Sequence, residues 1–154
     1  MVTGNSQINN DDHVKFILYL DNLSLTHSTF NTSKKCFESI EKHEIDNNPK
    51  ELAKNISRII QRLKPSMQES YGLIAINIAQ STFIPEPLFD SKYLSKYIEI
   101  NKSSNQNDKH IYLKQKFTNC FTISSINQEV EKVFLKTFKK IIIKPFASVL
   151  VDYA

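Results

Sequence analysis

Four cations recur every four residues, Lys50, Lys54, Arg58 and Arg62, the spacing that lines one edge of an α-helix. A second basic group comes late in the chain: Lys132, Lys136, Lys139, Lys140 and Lys144. Such stripes can meet phosphates, each neutralised phosphate adding a salt-dependent increment of affinity. A solvated helix face makes the same pattern, and that is what most charge runs are. No aromatic residues interleave with the first stripe, so it lacks the stacking platform of a groove for single-stranded nucleic acid.

Other reactive side chains are dispersed. His13, His27, His43 and His110 form no i,i+4 pair, and none has an acid three residues away on a convincing helix. The spacing therefore predicts no metal ligand set. Cys36 and Cys120 lack a CxxC partner and read as reduced thiols in small-hydrophobe roles; a single disulfide between them is the alternative. No serine sits in a G-x-S-x-G elbow, which leaves nucleophilic hydrolase chemistry without support. With only Gly4 and Gly72 in the chain, neither glycine-rich phosphate loop can be written. No catalytic residue, metal or cofactor is expected.

The elements that would position these residues must come from one domain. A chain of 154 residues removes roughly 70% of its unfolded surface from water on folding. Its 40% hydrophobic and 23% charged content is that of a water-soluble globular protein. A net charge of +4 permits acidic partners without demanding them. Residues 1–12 are polar and read as a flexible terminus, with a single domain over residues 13–154. The start has neither a basic region nor an apolar core, so no signal peptide is expected. No apolar run approaches the roughly 18 residues that span a bilayer. A soluble cytoplasmic chain with no membrane contact is the expectation.

The central element is the run from Leu73 to Ile78, dense in branched residues, which reads as a strand covered on both faces. Upstream, Val14 to Leu20 and Leu23 to Phe30 flank Asp21-Asn22, a turn pair, and predict a hairpin. Lys35 to His43 fits a third strand or a helix. Pro49 to Lys64 predicts a helix, with Asn48 as cap, Pro49 in the first position and Glu51 in a capping box. Its stripe is Leu52, Ile56, Ile59, Ile60 and Leu63. Downstream of the central strand the chain breaks at Pro85 and Pro87, and Asp90 caps a helix carrying Tyr93, Leu94, Tyr97 and Ile98. Those two tyrosines, with Phe83 and Phe89, read as packing aromatics. Ser103 to Lys109 is a polar loop; Ile111 to Leu113 and Phe117 to Ile123 are strand-like. Ser125 and Gln128 resemble a capping box that opens a helix with Val130, Val133, Phe134 and Phe138. Ile141 to Ile143 forms a last strand that Pro145 breaks.

Element order and particular residues resemble a family of uncharacterised bacteroidete-type bacterial proteins with an actin-like ATPase fold. The resemblance is carried by Leu20-Asp21-Asn22-Leu23-Ser24 and by Ser81-Thr82-Phe83-Ile84-Pro85-Glu86-Pro87-Leu88-Phe89-Asp90. The second segment is similar to the family's threonine-leucine-valine-proline and leucine-phenylalanine-acid signature. Tyr93-Leu94, Asn101 and the apolar stretch Ala147 to Val151 follow in register. The resemblance covers most of the chain from Val14 onward. It implies an α/β fold, α+β being the alternative: a ribonuclease-H-like, actin-like half domain with a mixed central sheet flanked by helices. It also implies that this chain corresponds to the first of two stacked halves.

In actin-like ATPases the first strand ends in an aspartate followed by glycine and hydroxyl residues that hold phosphate and metal. By that resemblance Asp21 is a remnant nucleotide or magnesium-site acid; the absence of a following glycine favours plain turn chemistry instead. The function expected first is a non-catalytic protein that keeps the ATPase scaffold for contacts with a protein partner or with itself. Two alternatives stand beside it. One is a degenerate nucleotide-binding or kinase-like protein that completes its cleft by dimerising. The other is an RNA-contacting accessory protein that uses Lys50, Lys54, Arg58 and Arg62.

Overall fold

The apolar run that begins at Leu73 becomes strand β4 (Tyr71–Asn77), in which every residue from Gly72 to Ile76 is buried. A computed structural model describes residues 15–31, 33–46, 48, 51–63, 70–78, 81–99 and 108–153. Within it β4 lies between two parallel neighbours, β1 (Phe16–Asp21) and β8 (Lys140–Pro145). Parallel pairing needs a crossover with helices on the faces, which is why β4 reads as an unbroken apolar run. Strand β1 turns back antiparallel into β2 (Ser24–Asn31), and β2 into β3 (Cys36–Glu44), giving a five-stranded mixed sheet of order β3-β2-β1-β4-β8. Between β4 and β8 the chain builds a second, antiparallel sheet of order β5-β7-β6, from β5 (Thr82–Pro85), β6 (Asp108–Lys114) and β7 (Cys120–Asn127).

Helices α1 (Leu52–Gln61) and α3 (Gln128–Thr137) pack on each other and on one face of the large sheet. Leu52, Ile56 and Ile60 from α1 and Val130 and Phe134 from α3 meet Phe16, Leu18, Leu20, Leu25, Ile74 and Ile76 in one core. The short α2 (Leu94–Glu99) packs on β7, and α4 (Phe146–Tyr153) on β4 and β8. Tyr19 alternates with Leu18 and Leu20 along β1, so its edge-on contact with Phe146, 4.8 Å between ring centroids, puts α4 on the opposite face. The large sheet is thus covered from both sides, as the sequence predicts.

Several boundaries differ from expectation. The segment from Lys35 is a strand, because its hairpin is closed locally: Asn31 Oδ1 accepts from the Ser33 and Lys34 amides, and Lys35 takes a positive φ of 52°. The Thr29 and Ser39 hydroxyls then meet across the ladder at 2.7 Å. Helix α1 starts at Leu52, and the Asn48 carbonyl accepts from the Glu51 and Leu52 amides; Pro49, Lys50 and Lys64 lie outside the described residues. Ser125 is a buried strand residue, and the cap of α3 is Asn127, whose Oδ1 accepts from Glu129 and Val130. β7 begins at Cys120, leaving Phe117 outside the strand and 78% exposed. β5 escaped prediction: Pro85 closes a strand that pairs with β7, and a 3-10 turn follows at Glu86–Leu88.

Candidate functional site

In open α/β sheets ligands sit beyond the carboxyl ends of parallel strands. Here those ends bring Asp21 of β1 opposite Asn77 of β4, with Pro145 of β8 beside Ile76. Asp21 is spent on its own turn. Its Oδ1 accepts from the Leu23 amide at 2.8 Å and the Ser24 amide at 2.7 Å, and its Oδ2 from the Ser24 hydroxyl at 2.9 Å. Two successive amides aimed at one anion form a nest of the kind that cradles phosphate; in this chain the anion is the protein's own carboxylate. Asn77 is tied as well, its Nδ2 donating to the Tyr19 hydroxyl at 2.9 Å.

Partial burial works to raise the Asp21 pKa. The Leu23 amide, the Ser24 hydroxyl and amide and the charge of Lys42 outweigh it, and the carboxyl is held below its ordinary value. A folded-state pKa that is depressed stabilises above the unfolded value, and that contribution is lost as pH falls through the folded one. Asp21→Ala is therefore expected to destabilise at pH 7 by about 1 kcal/mol, the worth of a capping side chain discounted for exposure. The gap to the wild type should begin to narrow as the pH falls below about 3.9 and close only below the depressed folded-state value. Urea midpoints at pH 7 and pH 3 check this, and an unchanged gap at pH 3 would detach the charge from the turn.

The two basic groups that are separate in sequence converge in space. Lys54 and Arg58 of α1 and Lys132 and Lys136 of α3 line one open groove of about 370 Å3, with Glu129 between them. Lys54 pairs with Glu51 at 3.3 Å and Lys132 with Glu129 at 2.7 Å. Arg58 and Lys136 have no ion-pair partner among the described residues. Arg62 is the exposed C-cap of α1 and does not line the groove; Lys50 lies outside the described residues. Lys140 instead sits over the Tyr71 ring at 5.0 Å, and Lys144 is buried.

Other sequence readings resolve individually. Both cysteines are free, and Cys36 is exposed rather than buried. Phe89 stacks on Phe121 at 3.9 Å between centroids, and Tyr97 ties the same loop by donating to the Leu88 carbonyl at 2.7 Å. Phe83 and Tyr93 remain largely exposed. His27 and His43 are not dispersed: the β2–β3 register places them together with Glu41. Sequence spacing missed that trio because it is set across two strands, not along one element.

A family model described as a protein of unknown function (DUF3822) matches residues 4–154. No curated protein matches. Among solved structures, the chain is similar to a Bacteroides thetaiotaomicron protein with an actin-like ATPase fold and unknown function, at 17% identity and a TM-score of 0.76. That match covers 96% of this chain and 58% of the other, so the chain spans little more than half of its neighbour's length. It is also similar to the cytoplasmic domain of EpsL, an inner membrane component of the type II secretion system of Vibrio cholerae. There the identity is 8%, the TM-score 0.50, and the match covers 84% of this chain and 56% of the other. The fold is that of the actin-like ATPases, as the sequence resemblance implies. No helix among the described residues is long and apolar enough to cross a membrane.

Proposed function

We propose, from the premise that this chain belongs to the DUF3822 family of proteins of unknown function, that it is a non-catalytic cytoplasmic scaffold which keeps the actin-like fold and acts through protein contacts. One observation carries this reading. The amides that a phosphate would need at the end of β1 already donate to the Asp21 carboxylate. A nucleotide would have to displace an internal anion that is covalently held in place. Leu23 at the tip of that turn is 72% exposed and Ile40 on β3 is 70% exposed, apolar surface of the sort that partners cover. The partner fitting the scaffold is a second actin-like half or a second copy, since the first solved neighbour is a longer chain. The EpsL domain is an example of the scaffold within a multi-component assembly.

Calorimetric titration with Mg-ATP, run with light scattering, tests the reading. The expected result is no saturable binding and no turnover. Steady ATP hydrolysis that disappears in Asp21→Ala would overturn it, and saturable binding by a dimer would favour a cleft completed by self-association.

A second reading rests on the α1–α3 groove, whose lining includes four cations from two helices: in it the groove binds an anionic partner such as RNA. Its mark is affinity that falls with salt and falls further in Arg58→Glu/Lys136→Glu. Binding indifferent to both would remove it.

A further inference from the structure

We propose that His27, Glu41 and His43 form a binding site for one Zn2+ ion across strands β2 and β3. The register makes the site. His27 lies directly opposite Glu41, and His43, two residues along β3, lies opposite Leu25. Cross-strand partners and i,i+2 neighbours share a face of a sheet, so the three side chains project to the same side. One ligand atom from each lies within 4.8 Å of the other two. His43 Nε2 stands 3.3 Å from His27 Nδ1, while the nearest approach of Glu41, 3.9 Å, is to the other ring nitrogen, Nε2, so the exposed carboxylate must turn to join an ion held on one nitrogen of His27. Two nitrogens bound at about 2.0–2.1 Å to a tetrahedral ion are themselves roughly 3.3 Å apart, the separation found here. A shared proton explains the contact between the imidazoles but leaves the carboxylate beyond hydrogen-bonding distance. An ion held between His27 Nδ1 and His43 Nε2 would have the Glu41 carboxylate within reach of a side-chain rotation.

The surroundings suit a bound ion. His27 is only 7% exposed, which fixes one ligand by packing, while the Glu41 side chain is 61% exposed and gives the ion a path from solvent. The imidazole rings already lie parallel, with 7° between planes and centroids 5.4 Å apart. Two imidazoles and one carboxylate select a late first-row divalent ion over Mg2+ or Ca2+, which prefer oxygen ligands. Three protein ligands leave a coordination position for water, the arrangement of an open zinc site. Because β3 is an end strand of the five-stranded order, the ion would also clasp that edge to β2.

The test is calorimetric Zn2+ titration of the untagged chain in a Cys36→Ser background, which removes the exposed thiol as a rival ligand. The expected result is one ion per chain, with affinity lowered at least tenfold in Glu41→Gln and in His43→Gln. Thermal unfolding should shift upward with Zn2+ in the parent and not in the double variant. Co2+ substitution should give visible d–d bands that both variants lose. His27→Gln adds a third arm, although its burial can compromise folding; Glu41 and His43, on the more open strand, keep the test decisive. Absence of stoichiometric binding, or equal binding by parent and double variant, overturns the proposal.

Discussion

Gly72→Ala is expected to destabilise the protein by about 1–3 kcal/mol, the range for overpacking a filled core. For a chain of this size that lowers the thermal midpoint by about 2–12 °C. Gly72 is the cross-strand partner of Phe16, and the Phe16 ring lies across the space a side chain at position 72 would fill. The ring has nowhere to go. Phe16 is fully buried and packs against Phe138 with centroids 5.0 Å apart. Gly72 has no positive φ, so alanine is compatible with the backbone and would by itself stabilise by about 0.4–1 kcal/mol through the unfolded chain. The steric overlap decides the sign. A second substitution makes the argument specific: Phe16→Leu shrinks the ring, so the double variant Gly72→Ala/Phe16→Leu should lose less than the sum of the two singles. Urea unfolding of the four proteins measures this. Strict additivity, or a stabilised Gly72→Ala, would show that the ring is not what excludes the methyl group.

Phe134→Ala is the larger loss, about 3–5 kcal/mol from a total that for domains of this kind is about 5–15 kcal/mol. Phe134 is fully buried and belongs to the cluster where α3 meets α1 and the sheet. Truncating it leaves a cavity between three elements, and a core at native density closes such a space only partly. The neighbouring residue supplies the control. Leu135 is 57% exposed, and Leu135→Ala should stay within about 0.5 kcal/mol of the parent. Since α3 also carries Lys132 and Lys136, loosening it should blunt whatever the α1–α3 groove binds. A variant Phe134→Ala with parental urea midpoint would mean that α3 is not anchored where it lies.

What was legible in the sequence follows from how local each signal is. The near-continuous apolar run at Leu73 to Ile78 marked β4, and the 3.6-residue stripe from Leu52 to Leu63 marked α1. Asp21-Asn22 marked the first turn, and the 81–90 segment carried the resemblance to the actin-like fold that the solved neighbour bears out. The readings that slipped depend on pairing partners. Ser125 fits a capping box in isolation, yet β7 continues through it because β6 pairs there, with His110 opposite Ser125. Asn127, two residues later, is the last residue of β7, opposite Asp108, and its side chain turns onto the helix amides. β5 is four residues long and ends in proline, too short for alternation to show; β7 on one side makes it a strand. The histidine trio and the union of the two basic groups have the same origin. Register and helix packing join residues that no window of sequence holds together.

The place of the small sheet in the chain bears on how the molecule assembles in time. Strands β1, β2 and β3 form a meander of near neighbours, which can zip as soon as its turns close. The pairing of β4 with β8 joins Tyr71 to Lys140, and contacts so remote must wait on the closing of a long loop. Although β5 reaches β7 across the stretch from Thr82 to Ile123, the β6–β7 hairpin between them is antiparallel and short-ranged, pairing Lys114 with Phe121. If it folds first it shortens the effective loop, since β7 runs directly into α3 and then β8. The insertion would then work as a splint for that long-range step, carrying the last strand back to the edge of β4.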